Sequence, residues 1–256
     1  MLFMSSLVFV SCSDDNNKSD DGAQGGNKVI NKTYTVNGVS FTMVGVAGGT
    51  FQMGSNDDIE DEKPVHSVTL SSYYIGQTEV TQKLWTAVMG SNPSIWKGDN
   101  LPVEMVSWND CQNFITKLNA LTGEKFRLPT EAEWEFAAKG GNKSKGYRYN
   151  GSNTIGDVAW YLDNSSDKMH PVGTKAPNEL GIYDMSGNVM EWCRDWYGSY
   201  SSSAQTNPAG PASGSNRVYR GGDWDNYATN CRAAARLSNT PAFAYYYFGF
   251  RLALSK

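Results

Sequence analysis

From residue 142 to residue 256 the sequence shows no helical period, only short strand-like runs between turns, so this part of the chain must pack mostly as loop. The apolar material for such packing is aromatic. The chain holds 8 Trp, 14 Tyr and 10 Phe among 256 residues, with 26 Gly, while the hydrophobic share is only 39%. Aliphatic residues are the ones in deficit against a usual apolar share of roughly 45–50%. Large flat side chains and frequent glycine turns predict a loop-rich α+β fold with little regular structure. The net charge of −4 and the lack of any Lys/Arg run argue against nucleic acid as a partner.

Regular elements are predicted ahead of that region. YTVNGVSFTMVGV alternates apolar and polar residues, turns at Gly48-Gly49 and continues as TFQMGS, a hairpin pattern. KPVHSVTLSSYYIG reads as a further strand. Thr81 is placed to cap a helix QKLWTAVM that stops at Gly90, with Val80 and Trp85 as its hydrophobic staple. Ser107 and Asp110 form a capping box ahead of Cys111, Phe114, Ile115, Leu118 and Leu121, which share one face before Gly123. Thr130 and Glu133 box a third helix, EAEWEFAAK. No repeat or second linker interrupts residues 29–256, which are expected to be one domain.

The first residues carry a different signal. MLFMSSLVFVSC is apolar, too short to span a bilayer, and ends in Phe9-Val10-Ser11-Cys12, which resembles a bacterial lipobox. Residues 1–12 then read as a lipoprotein signal, with Cys12 as the lipidated residue. A plain signal peptide with a structural Cys12 is the alternative. Residues 13–28 are polar and acidic, the composition of a disordered tether. An acidic run after a lipidated cysteine resembles the export signal of some Gram-negative surface lipoproteins. The expected location is therefore the outer membrane or cell surface, with the lipid as the membrane contact.

Cys111, Cys193 and Cys231 remain. In an oxidising compartment Cys193–Cys231 is the expected disulfide and Cys111 the buried free thiol, two packed thiols being the alternative. His66 and His170 lie far apart, and no cysteine spacing matches a zinc site.

Eight phrases then occur in one order: GGTFQMGS, PVHSVTLSSYYIGQTEVT, PVEMVSWNDC, RLPTEAEWEFAAKGG, HPVGTKAPNELGIYDMSGNVMEWCRDWY, RVYRGGDWD, CRAAAR and FGFRLAL. Together they resemble the formylglycine-generating enzyme (sulfatase-modifying factor) family over nearly all of residues 40–254. The resemblance implies one loop-rich α+β domain, a variant of the C-type-lectin-like fold. Founding members oxidise a sulfatase cysteine to formylglycine with O₂ and Cu(I) held between two thiolates, an arrangement that suits a soft ion. In that pattern a serine follows the double glycine, with the first Cys three positions on and the second five further.

Here the serine position is Asp223, the first Cys position Asn226, and a straight count puts the second on Cys231. Anchoring on Ala234-Ala235-Arg236 instead leaves Cys231 matched to nothing. Met190 replaces a pocket tryptophan, and Ala138 and Ala233 stand where some secreted relatives carry a disulfide. The expectation is a membrane-anchored domain without cysteine oxidase activity, binding a protein or glycan or serving envelope assembly. The alternative is an active oxidoreductase, with Cys231 as the candidate catalytic residue and Cys193 as a second copper ligand. The resemblance also implies Ca²⁺ at Asp184, Gly187, Val189 and Glu191, because DMSGNVME offers two carboxylates around a glycine turn. A tight turn with Glu191 paired to an arginine is the competing reading. Arg232, Arg236 and Arg251 are expected to hold loops through carboxylates and carbonyls. SYSSSAQTNPAGPASGS and AFAYYYFGF are the expected variable binding surface, with at least one of Tyr245, Tyr246 and Tyr247 facing outward.

Overall fold

The computed structural model describes residues 10–11, 29–57 and 59–256. Cys12 and the expected tether 13–28 lie outside the described residues. Helix α1 (Gln82–Met89) starts at Thr81, whose hydroxyl accepts from the Leu84 N–H, and ends at Gly90 with φ 83°. Helix α2 (Trp108–Thr122) has the Ser107–Asp110 capping box and stops at Gly123 with φ 74°. Helix α3 (Glu131–Ala138) has the Thr130–Glu133 box. Local side-chain chemistry therefore sets the helix boundaries, as the sequence predicted.

The strand readings need correcting. The hairpin turn is at Asn37-Gly38, both at positive φ, and joins Lys32–Val36 to Val39–Val46. At Gly48-Gly49 the chain changes sheets, because Gly49–Met53 pairs with His66–Leu70 instead. A Cβ on Gly48 would lie 2.5 Å from the Leu70 carbonyl oxygen, so only glycine fits that crossing. The run after Pro64 likewise splits into His66–Leu70 and Tyr73–Gly76, which belong to different sheets.

Tyr73–Gly76 lies in a sheet of six antiparallel strands between Val39–Val46 and Ala253–Ser255, so early and late parts of the domain close against each other. A second sheet orders Arg236–Asn239, Arg217–Arg220, Met190–Trp196 and Phe248–Gly249. One apolar core joins α1 and α2 to the first sheet through Trp85, Phe114 and Phe250. Another packs α3 on the second sheet through Trp134, Cys193 and Val218. Both rely on aromatic rings, as the shortage of aliphatics requires.

Helix α3 is buried on every side, although it carries three glutamates. Each is met by a guanidinium. Arg236 pairs with Glu131 at 2.7 and 2.8 Å, Arg127 with Glu133 at 2.6 and 2.7 Å, and Arg220 with Glu135. Arg232 takes Glu62 at 2.8 and 2.6 Å, and Arg251 takes Glu191 at 2.6 Å through two nitrogens. The arginines also bind backbone carbonyls, for example Arg251 to Gly76 and Tyr183 (3.0 Å each), so they act as loop anchors as expected. Removing one partner of such a pair strands a charge away from water. Arg251→Ala is expected to cost about 3–5 kcal/mol of unfolding free energy. Thr130→Ala, which removes a helix cap, is expected to cost about 1 kcal/mol. Denaturant titration of both variants checks the ordering, and equal losses would contradict it.

Candidate functional site

The double glycine after the Arg217–Arg220 strand opens the loop that carries the family's reactive positions. Gly221 and Gly222 have φ of 96° and 70°. A Cβ on Gly222 would lie 2.7 Å from Cys231 Sγ, so the thiol is packed directly against this backbone. Asp223 is buried, and its carboxylate accepts from the Asp225 N–H (2.7 Å) and from Asn226 Nδ2 (2.9 Å). This local ring of bonds shapes the turn. Burial pushes the Asp223 carboxyl up to about 7. The Trp224 N–H donates to the Asn188 carbonyl (3.1 Å) and the Leu162 N–H to the Asn226 carbonyl (3.0 Å), fixing the loop to its neighbours.

Cys231 closes a short 3-10 turn, Ala228–Cys231, with its carbonyl accepting from Ser186 Oγ (2.7 Å). Burial, and then the Asp223 charge, pushes its thiol up to about 12. Cys193 sits in the core between α3 and the second sheet, where burial and the Glu131 and Asp195 charges also raise its thiol. Cys111 is on the buried face of α2. All three are free and buried, so the expected Cys193–Cys231 disulfide is not formed. Cys193 packs in the core with α3, whereas Cys231 packs against Gly222.

Of the residues expected at Ca²⁺, the two carboxylates already have protein partners. The Glu191 carboxylate is fully engaged by Arg251 and by Trp134 Nε1–H (2.7 Å), which is the arginine pairing left open by the sequence. Val189 is packed in the interior, and Gly187 donates its N–H to the Gly221 carbonyl (2.8 Å). Asp184 accepts from the Gly173 N–H (2.6 Å) and lies beside Glu79, which accepts from Asn188 Nδ2 (3.0 Å). Burial lifts both acids, and the Asp184 charge lifts Glu79 further. Among the described residues no group of three or more His, Cys, Asp or Glu side chains is placed to hold a metal. His66 Nδ1 lies 3.0 Å from the Pro64 carbonyl oxygen, and His170 Nε2 lies 2.7 Å from that of Ser165. Where the bridge to Ala233 would be, Arg220 instead ties α3 to the carbonyls of Ala233, Ala234 and Ala235.

Around the loop lies an open aromatic face. Trp96 meets Trp224 and Tyr246 edge-on, with ring centres 5.7 and 5.4 Å apart, and Tyr245 lies 4.2 Å from Tyr246. Trp96 is 38% exposed, Tyr245 40% and Tyr227 69%, whereas Trp224 is buried. Glu104 holds the Ile95–Trp96 segment by accepting both backbone N–H groups. Sequence reasoning anticipated the tyrosines but missed Trp96. The available signal was an Ile-Trp pair in a polar stretch with no helical period. The other expected surface, residues 199–215, is largely exposed and also roofs a cavity of about 520 Å³ lined by His66, Glu131, Asp195, Tyr200 and Arg236.

Two outcomes follow. Denaturing alkylation without reductant should recover Cys111, Cys193 and Cys231 as three separate alkylated peptides in a mass spectrum; a Cys193–Cys231 linked peptide would refute the free-thiol arrangement. Asp195, raised by burial and by Glu131, holds its proton up to about 8 in the fold, against roughly 3.9 in an unfolded chain. Between those values the native state binds more protons, so this group makes stability fall as pH rises. Asp195→Asn should therefore gain stability over the parent with rising pH from about 4 to 8, by up to ~1.4 kcal/mol per pH unit. Parallel denaturation curves across pH test it, and a flat difference would exclude it.

The same fold and site elements recur in known proteins. The sulfatase-modifying factor enzyme 1-like domain matches residues 37–256. "Chaperone protein LppX" of Paenibacillus barcinonensis is 36% identical over 236 residues, 73% of this chain and 79% of that protein. The formylglycine-generating enzyme of Streptomyces coelicolor is 37% identical over 187 residues, 66% of this chain and 57% of that enzyme. Among solved structures, Treponema denticola variable protein 1 superposes with a TM-score of 0.85 at 38% identity, covering 90% of this chain and all of that one. A match of this extent, together with the loop that follows the double glycine, places the chain in the sulfatase-modifying factor (formylglycine-generating enzyme) family.

Proposed function

We propose that this chain is a family member that binds a partner in place of oxidising one, held at a membrane surface through a lipid on Cys12. The single observation that carries the reading is the state of the reactive loop. Asn226 stands at the first thiol position, Asp223 at the serine position, and the one remaining thiol, Cys231, is buried and pushed up to about 12. Cysteine oxidation by O₂ at Cu(I) needs two thiolates converging on one ion, whereas Cys231 packs against Gly222 and Cys193 packs in the core with α3. What the surface offers a macromolecule is the exposed rings of Trp96, Tyr227 and Tyr245.

The relatives are compatible with this role. One is named a chaperone and one a variable protein, though the family also contains the oxidases. Anchoring rests on the lipobox-like Phe9–Cys12 and the polar stretch after it, which would set the domain at the outer membrane or cell surface. Among the described residues no helix is long and apolar enough to cross a membrane. In a turnover assay, the purified chain supplied with Cu(I) and O₂ should convert no Cys-X-Pro-X-Arg peptide to its aldehyde. Aldehyde formation that is lost in Cys231→Ser would overturn the reading.

A further inference from the structure

We propose a second binding site, apart from the reactive loop: the cavity beside Trp108, Trp196, Arg194 and Arg217 takes the phosphate group of a small organic phosphate ester. Arg217 begins the strand that runs to the double glycine, so roughly 13 Å of extended chain separates this cavity from the loop.

Arg217 is held in one place. Its guanidinium carbon lies 3.9 Å from the Trp108 ring centre and 3.4 Å from that of Trp196, so two indoles clamp the group. The other buried and partly buried arginines, Arg127, Arg220, Arg232, Arg236 and Arg251, each meet a carboxylate within 4 Å. Among the described residues, neither Arg217 nor Arg194 does. Arg217 Nη1 donates to the Arg194 carbonyl (2.7 Å) and Nε is buried without an acceptor, which leaves Nη2 for a ligand. Burial holds this guanidinium below its usual pKa, and the Arg194 charge adds to the effect while Asp195 opposes it. Asp195 keeps its own proton up to about 8, so near neutral pH it is a weak counter-charge. A clamped, partly desolvated cation beside a second one is costly until an anion joins them.

The cavity has the room and the charge for that anion. It measures about 430 Å³ and is lined by Gln112 and Arg127 besides the two tryptophans and the two unpaired arginines. No Asp or Glu among the described residues lines it. Arg127 is neutralised by Glu133, so the surplus is two positive charges. A phosphate monoester carries nearly two negative charges at neutral pH and accepts from guanidinium groups through several oxygens. An inorganic ion would leave most of the volume empty. Leu128, Pro211 and Ala212 line the remainder and suit an apolar ester group.

The test is equilibrium dialysis of the whole chain at neutral pH against phenyl phosphate. Phenyl sulfate and benzoate serve as singly charged counterparts, and benzyl alcohol as the uncharged one. Phenyl phosphate should bind saturably at one site, with the sulfate and benzoate about fivefold weaker or worse and the alcohol not retained. Arg194 is exposed, so Arg194→Gln should weaken phenyl phosphate about tenfold with a melting temperature unchanged within about 2 °C. Arg194→Lys, which keeps the charge, should recover most of the loss. Arg148→Gln, which alters an exposed arginine lining a different cavity, should bind as the parent does. No saturable uptake of phenyl phosphate, equal uptake of the sulfate or benzoate, retention of benzyl alcohol, or an indifferent Arg194→Gln would each overturn the proposal. None of these probes contains a thiol, so the outcomes are independent of oxidase turnover.

Discussion

Guanidinium pairing with buried carboxylate is the constraint on which the rest of the molecule depends. A domain with so much loop has many backbone carbonyls without a helix or sheet partner, and each needs a donor when buried. Lysine supplies a point charge, whereas arginine supplies a planar fork that can grip a carboxylate and still reach carbonyls. Arg220 does this on one small area, binding Glu135 and the carbonyls of Ala233, Ala234 and Ala235. Arg236 similarly joins Glu131 of α3 to the carbonyls of Asp61 and Gly198. Helix α3 thereby serves as a buried post to which distant loops are tied. Its glutamates are tolerable in the core only because the loops bring the arginines.

This arrangement explains which parts of the fold were legible. Caps are local: Thr81, Ser107 and Thr130 each bond to a backbone N–H three residues on, and the helices could be placed from the sequence. The sheet crossing at Gly48-Gly49 is not local. Nothing in the alternation of residues 39–53 says that its two halves pair with different partners, because that depends on the contact with Leu70. Arginines could be recognised as anchors, but the matching of Arg232 to Glu62, 170 positions apart, is set only by the closed chain.

The candidate site was legible in part for the same reason. Counting from the double glycine located Asp223, Asn226 and Cys231, and the structure keeps them in one loop. The disulfide was inferred from compartment and cysteine count, which say nothing of competing partners, and the calcium set only from the family pattern. Cys231 had Gly222 to pack against, and Glu191 had Arg251. Trp96 was overlooked because its companions Trp224 and Tyr246 come from far along the chain. A fold held by distant pairs assembles its surfaces from distant segments as well.

The separation between frame and face has a consequence for what the domain can do. The anchors, Glu135, Glu191, Arg220 and Arg251, are buried, whereas Ile95, Asp225, Tyr227 and Tyr245 are exposed. Exposed positions of that kind usually change stability by no more than about 0.5 kcal/mol when substituted. The chemistry of the face can therefore change while the frame stays fixed, and a fold shared with an oxidase need not carry an oxidase's site. In this chain Asp223 braces the turn after the double glycine from inside, and Trp224 extends from the braced turn to meet Trp96 and Tyr246.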